Sequence, residues 1–194
     1  DFTGQTFDFN GQVKALLALP DGRLLVAGDF TRVNGEAHIG TVVIDPSTGA
    51  IDPSWDLSIK NALRGGTVSV RALDYYAGGH FTRAHGNDRA WYAAKFSTAP
   101  GAAQDTSFDF QPSTVSAGKY QQTISAAGKR VFIGGSEHSL FGYDTGSNLR
   151  TSGSLMLSNG GDLQASTISA NGVIYGSCHC SDGSYQDKYD WGVN

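Results

Sequence analysis

The residues best suited to chemistry lie late in the chain, where Cys178 and Cys180 bracket His179. Thiolate and imidazole are good zinc ligands, but structural zinc sites want four ligands, usually with two to four residues between paired cysteines. A single intervening residue fits that pattern poorly. On a strand the two cysteines would face one side and His179 the other. Three readings stand. The spacing favours buried thiols, packed as small hydrophobes at a turn. A local disulfide between Cys178 and Cys180 is open if the backbone bends there. A metal site is disfavoured for want of ligands, so neither metal nor cofactor is expected. Two cysteines are too few for the disulfide framework of a small secreted domain.

Asp8, Asp45, Asp56, Asp109 and Asp144 raise the prospect of paired carboxylates, which glycosidic cleavage needs roughly 5–10 Å apart. Each belongs to a recurring motif, however, and Asp before Gly, Ser or Thr is a side-chain-to-backbone turn device. Turn formation is expected and no catalytic residue is assigned. No loop has the EF-hand spacing, and no nucleophile elbow, phosphate loop or dinucleotide fingerprint is present. Aromatic residues are the better hint of binding. Trp91, Tyr92, Tyr185, Tyr189 and Trp191 lie in or near stretches rich in Asn, Asp, Gln and Ser, as do Tyr75 and Tyr76. Flat rings beside planar polar groups suit sugar recognition, and the first five are the candidate binding residues. The alternative is that they pack between sheets.

Charge narrows the partners. With 14 basic and 18 acidic residues among 194 the net charge is −4 and no basic face is visible, which argues against nucleic acid. A polybasic membrane-surface segment is absent too. No apolar run approaches the roughly 20 residues of a membrane-spanning helix, so membrane insertion is not expected. Asp1-Phe2-Thr3-Gly4 has neither the basic nor the apolar region of a signal peptide, so an exported protein would carry its signal outside this sequence.

These residues are positioned by a repeated scaffold. Val26-Ala27-Gly28-Asp29-Phe30-Thr31-Arg32 returns as Tyr76-Ala77-Gly78-Gly79-His80-Phe81-Thr82-Arg83. It returns more faintly as Phe132-Ile133-Gly134-Gly135-Ser136, and in altered form as Tyr175-Gly176-Ser177-Cys178-His179-Cys180. With Phe30, Phe81, Ser136 and Cys180 as register marks, the separations are 51, 55 and 44 residues. A second motif, Phe7-Asp8-Phe9, Trp55-Asp56-Leu57 and Phe108-Asp109-Phe110, keeps step at separations of 48 and 53. Leu155-Met156-Leu157 is a further copy that has lost its aspartate. A period of roughly 40–50 residues marks repeat architectures, propeller blades among them. His80 and His179 share one repeat position, which reads together with Asp29 as a structural turn.

The first repeat shows the plan. Gln12 to Leu19 is apolar with strand spacing, Pro20-Asp21-Gly22-Arg23 supplies a turn, and Leu24 to Gly28 returns, giving a hairpin. Thr41 to Ile44 is a third strand and Ile51 to Leu57 a short fourth. The expectation is an all-β chain, more than about 40% strand and less than roughly 5% helix. It would form about four antiparallel blades of three to four strands in a β-propeller, alone or as part of a larger one. One domain spans 1–194, with a tail at 1–10, repeats near 11–57, 58–110 and 111–157, and an incomplete one at 158–194. A segment of a longer polypeptide is expected, with closure of a four-blade ring as the alternative.

Val13 to Gly35 and Ile44 to Trp55 carry a pattern that resembles the delta-60 type β-propeller repeats of large bacterial exported and surface proteins. The match is carried by 12–57 and 68–110 and fades beyond 120. There Gly135-Ser136 lacks the aromatic residue, and Cys178-His179-Cys180 replaces Gly79-His80-Phe81. The resemblance implies a propeller scaffold in an extracellular setting and brings no catalytic residues with it. The functional expectation is a non-enzymatic adhesion or recognition module, secreted or displayed on a cell surface or a virion tail. Its partners would be domains of the same longer chain, neighbouring subunits or a glycan. A glycoside hydrolase is the competing reading.

Overall fold

The computed structural model describes residues 4–63, 67–84, 86–97, 105–112, 115–156, 161–180 and 184–185. Strands make up 47% of it, and there is no helix among the described residues. The hairpin read from the first repeat is present. β1 (Val13–Ala18) runs antiparallel to β2 (Leu24–Gly28), and Gly22, at φ +88°, closes the turn by donating its N–H to the Leu19 carbonyl at 3.0 Å. A positive φ costs glycine nothing, which is why the turn carries one here. Asn34 and Gly35, both at positive φ, turn a short ribbon of β3 (Arg32–Val33) and β4 (Glu36–Ala37). Two positive φ values in succession suit the twist of a tight hairpin. β5 (Thr41–Ile44) then pairs with β2 and completes the first sheet.

Three more antiparallel sheets follow. The second contains β6 (Ser69–Leu73), β7 (Tyr76–His80) and β8 (Ala93–Lys95). The third runs from β9 (Gln121–Ala127) through β10 (Arg130–Gly135) and β11 (Ser139–Asp144) to β12 (Arg150–Met156). The fourth is the pair β13 (Asp162–Ile168) and β14 (Ile174–His179). β15 (Ser184–Tyr185) returns to the outer edge of the third sheet beside β12, so that among the described residues that sheet has five strands and the fourth two. Among those residues the expected three to four strands per sheet are present in the first two sheets. The opening strand of each sheet packs against that of the next: β1 on β6, β6 on β9, and β9 on β13.

The core lies between successive sheets. Leu25, Ala27 and Val43 of the first meet Val70, Ala77 and Phe81 of the second, and Tyr76 and Ala93 of the second meet Ile133 and Phe141 of the third. Phe132 and Leu140 meet Leu163 across the last gap. The apolar–Asp–apolar motif supplies the filling. In an extended segment alternate side chains face opposite ways, so Trp55 and Leu57 are buried in the first gap while Asp56 is exposed. Trp55 meets Phe96 edge-on at 5.7 Å. Phe108 and Phe110 repeat the device in the second gap, where Phe108 touches Tyr76 and Tyr143. Phe7 and Phe9 lie on the outer face of the first sheet and are only half-buried.

Two strand assignments change. Leu155 and Met156 belong to β12, pairing with Leu140 and Ser139, and are not a fourth copy of the motif. Ile51 to Leu57 is not a strand, since only Ile51 bridges to Ile44 before the chain turns inward to bury Trp55.

Candidate functional site

All four sheets share one register. Val13 faces Gly28, Val70 faces Gly79, Gln121 faces Gly135 and Leu163 faces Cys178. In every sheet the next paired residue on the opening strand lies two positions on, at Ala15, Ala72, Thr123 and Ala165. The skipped residues are Lys14, Arg71, Gln122 and Gln164, all long and polar. A bulge of this kind re-aims one side chain without breaking the sheet. Sequence reading missed this column because the hairpin between the paired positions is much shorter in the second repeat, 70 to 79, than in the others.

The bulged residues and their neighbours form a row of polar contacts from sheet to sheet. Lys14 Nζ lies 3.1 Å from Asp29 Oδ2 and donates to Gln12 Oε1. The Ser69 hydroxyl donates to the other Asp29 oxygen, joining the first sheet to the second. From the second sheet, the Arg71 guanidinium lies 4.1 Å above the Tyr120 ring, and its Nη1 donates to Gln122 Oε1 at 3.2 Å. His80 stacks on the same ring at 4.9 Å. From the third sheet, Tyr120 donates to Asp162 Oδ2 at 2.6 Å, and Gln122 donates to that oxygen and to the Leu163 carbonyl. Gln164 donates to Asp162 Oδ1 at 2.7 Å.

The electrostatics follow from this wiring. Burial opposes ionisation of Asp162, but hydrogen bonds from Tyr120, Gln164 and Gln122 outweigh it and hold the carboxyl below its ordinary range. Burial, followed by the nearby Arg71 cation, pushes His80 below its ordinary value. Burial and then the Asp162 hydrogen bond push Tyr120 up. The row is thus anionic at Asp29 and Asp162 and cationic at Lys14 and Arg71, with an aromatic face at its centre. This arrangement can hold a polar ligand by hydrogen bonds and ring contact. Among the described residues no three His, Cys, Asp or Glu side chains group as metal ligands.

The aromatic candidates are not brought together. Tyr92 is fully buried, and its hydroxyl donates to the Ser116 carbonyl and accepts from the Ser116 N–H, both at 2.8 Å. It is a packing residue, unavailable to a ligand. Trp91 is half-buried, with the Arg89 guanidinium 5.5 Å from its ring. Tyr76 is buried as well, while Tyr75 is exposed. Tyr185 lies on β15 opposite Leu155. Tyr189 and Trp191 fall outside the described residues.

Cys178 and Cys180 are joined by a disulfide, the alternative that the spacing ranked below buried thiols. The shared register aligns His179 with Asp29, His80 and Ser136, and Cys180 with Phe30, Phe81 and Glu137. The register mark in the third repeat is therefore Glu137, one residue beyond Ser136. His80 is half-buried against Tyr120, whereas the His179 side chain is exposed, with Nδ1 3.9 Å from Asp162. Three of the five recurring aspartates make turns: Asp45 Oδ1 accepts from the Ser47 and Thr48 N–H groups, Asp56 Oδ1 from that of Ser58, and Asp144 Oδ1 from those of Gly146 and Ser147. Asp109 instead accepts from Arg89 Nη2 at 3.4 Å.

Compared with models of known protein families the chain matches none, and no curated protein matches it in sequence.

Proposed function

We propose that the chain is a propeller-type repeat scaffold of the delta-60 kind, working outside the cell as a non-enzymatic adhesion or recognition module. The succession of like sheets, opening strand on opening strand with apolar filling between them, supports the propeller reading. Its partners are a glycan and neighbouring domains or subunits. The recognition surface is the polar row from Lys14 to Gln164. The observation that carries this reading is the placement of long polar side chains at one bulged register position in all four sheets, with the Arg71–Tyr120–His80 stack among them. Asp45, Asp56 and Asp144, committed to backbone turns, favour recognition over hydrolysis.

A glycan array probed with the wild type and with Arg71→Ala and Lys14→Ala, alongside chromogenic glycosides, tests this. Binding without turnover, weakened at least about tenfold by Arg71→Ala, is the expected result. Turnover abolished by a single Asp substitution would replace it with the glycosidase reading.

A further inference from the structure

The first and fourth sheets expose, among the described residues, opposite halves of an interface that the gaps between successive sheets fill. On the face turned toward a preceding sheet, Val13 and Leu16 hold the register positions of Val70 and Leu73 in the second sheet and of Gln121 and Ile124 in the third. Val70 is 0% and Ile124 9% exposed, against 43% for Val13 and 59% for Leu16. On the face turned toward a following sheet, Tyr175 holds the place of Leu25, Tyr76 and Phe132, all buried, and is 57% exposed. Val173, two residues earlier on the same side, is exposed as well.

We propose that a second copy of this chain covers these faces, the fourth sheet of one copy stacking on the first sheet of another, head to tail. The chain already contains this interface three times. At each interior gap the trailing face of one sheet meets the leading face of the next, and the two uncovered faces are one of each kind. Among the described residues they do not cover each other within one molecule. Phe7 and Phe9 already sit half-buried on the leading face, where Trp55 and Leu57 sit in the first interior gap. No charge would be stranded, since Val13, Leu16, Thr167, Val173, Tyr175 and Ser177 are uncharged. Hydroxyls on the trailing face have a precedent in the last interior gap, where Thr123 and Ser125 both bond to Ser166, at 2.7 and 2.8 Å. Such a contact is heterologous, closing a ring when the rotation permits and otherwise extending. The proposal rests on the stacked sheets and is independent of glycan binding.

Sedimentation of the wild type over about 1–200 µM tests it without any variant, because association must grow with concentration. The expected result is a rise from 20.4 kDa to twice that mass or more. Leu16→Asp and Tyr175→Asp, both at exposed positions, should each remain monomeric with an unchanged circular dichroism spectrum. An equimolar mixture of the two should form a one-to-one heterodimer and stop there, since one sound head meets one sound tail. A wild type that stays monomeric throughout, or variants that associate as it does, would overturn the proposal. Unchanged glycan binding by the monomeric variants would separate its failure from that of the recognition reading.

Discussion

Gln121 occupies in the third sheet the place that Val70 holds in the second, and both are fully buried. The valine meets apolar neighbours. The glutamine carries a carboxamide whose oxygen and nitrogen find no hydrogen-bond partner among the described residues. Burying an amide uncompensated costs about 1–3 kcal/mol. Gln121→Leu, the residue type at the matching Leu163, should therefore raise the thermal midpoint by roughly 3–6 °C. A lower midpoint would mean that the amide is satisfied by a group such as ordered water.

Gly79 is required by close approach. A Cβ there would overlap the Ser69 carbonyl oxygen on the paired strand, as one at Gly28 would overlap that of Gln12. Gly79→Ala should cost about 2 kcal/mol or more in urea unfolding, whereas Gly118→Ala, which meets open space, should stay within about 0.5 kcal/mol. Equal effects at the two sites would contradict the packing described.

Asp105 ties the second sheet to the third. Its carboxylate accepts from Ser107 Oγ at 2.6 Å and from Asn148 Nδ2 at 2.8 Å, and pairs with Lys95 Nζ at 3.1 Å. Ser107, Asn148 and Lys95 outweigh burial and hold its pKa well below the ordinary carboxylate value. A depressed folded pKa gives stability that is complete above the unfolded value of about 3.9 and lost as pH falls through the folded one. Asp105→Asn should cost about 1 kcal/mol at pH 7, allowing for partial solvent screening. That deficit should shrink steadily below pH 4 in thermal melts, and a deficit constant down to pH 2 would rule out the ionic contribution.

The Cys178–Cys180 disulfide closes a very short loop, so the chain-entropy gain it can offer is about 1–2 kcal/mol. Cys178→Ser with Cys180→Ser should leave the first three sheets intact. Hydrogen exchange should accelerate at β13 and β14 alone. Acceleration spread over all four sheets would show that the bond supports the whole chain.

Much of the fold was legible because its causes are local. The turn at Gly22, the apolar runs of β1 and β2, and the Trp55-Asp56-Leu57 device each declare themselves within a few residues. The polar row was not legible. Lys14, Arg71, Gln122 and Gln164 share nothing but length and polarity, and only strand pairing places them in one column. Tyr92 misled because its loop looks polar while its ring turns inward, its hydroxyl satisfied by the Ser116 backbone. Spacing alone does not separate the disulfide from buried thiols, because it says nothing about how the backbone bends at His179.

The bulged column has a consequence for how such a chain can diversify. A residue left out of the strand ladder carries no duty in register. Lys14 and Gln164 bond within their own sheets, so positions 14 and 164 can exchange amino acids while the architecture stays constant. Arg71 and Gln122 also tie one sheet to the next. The first and fourth sheets thus behave like sockets that can be refitted one at a time to meet a changed surface.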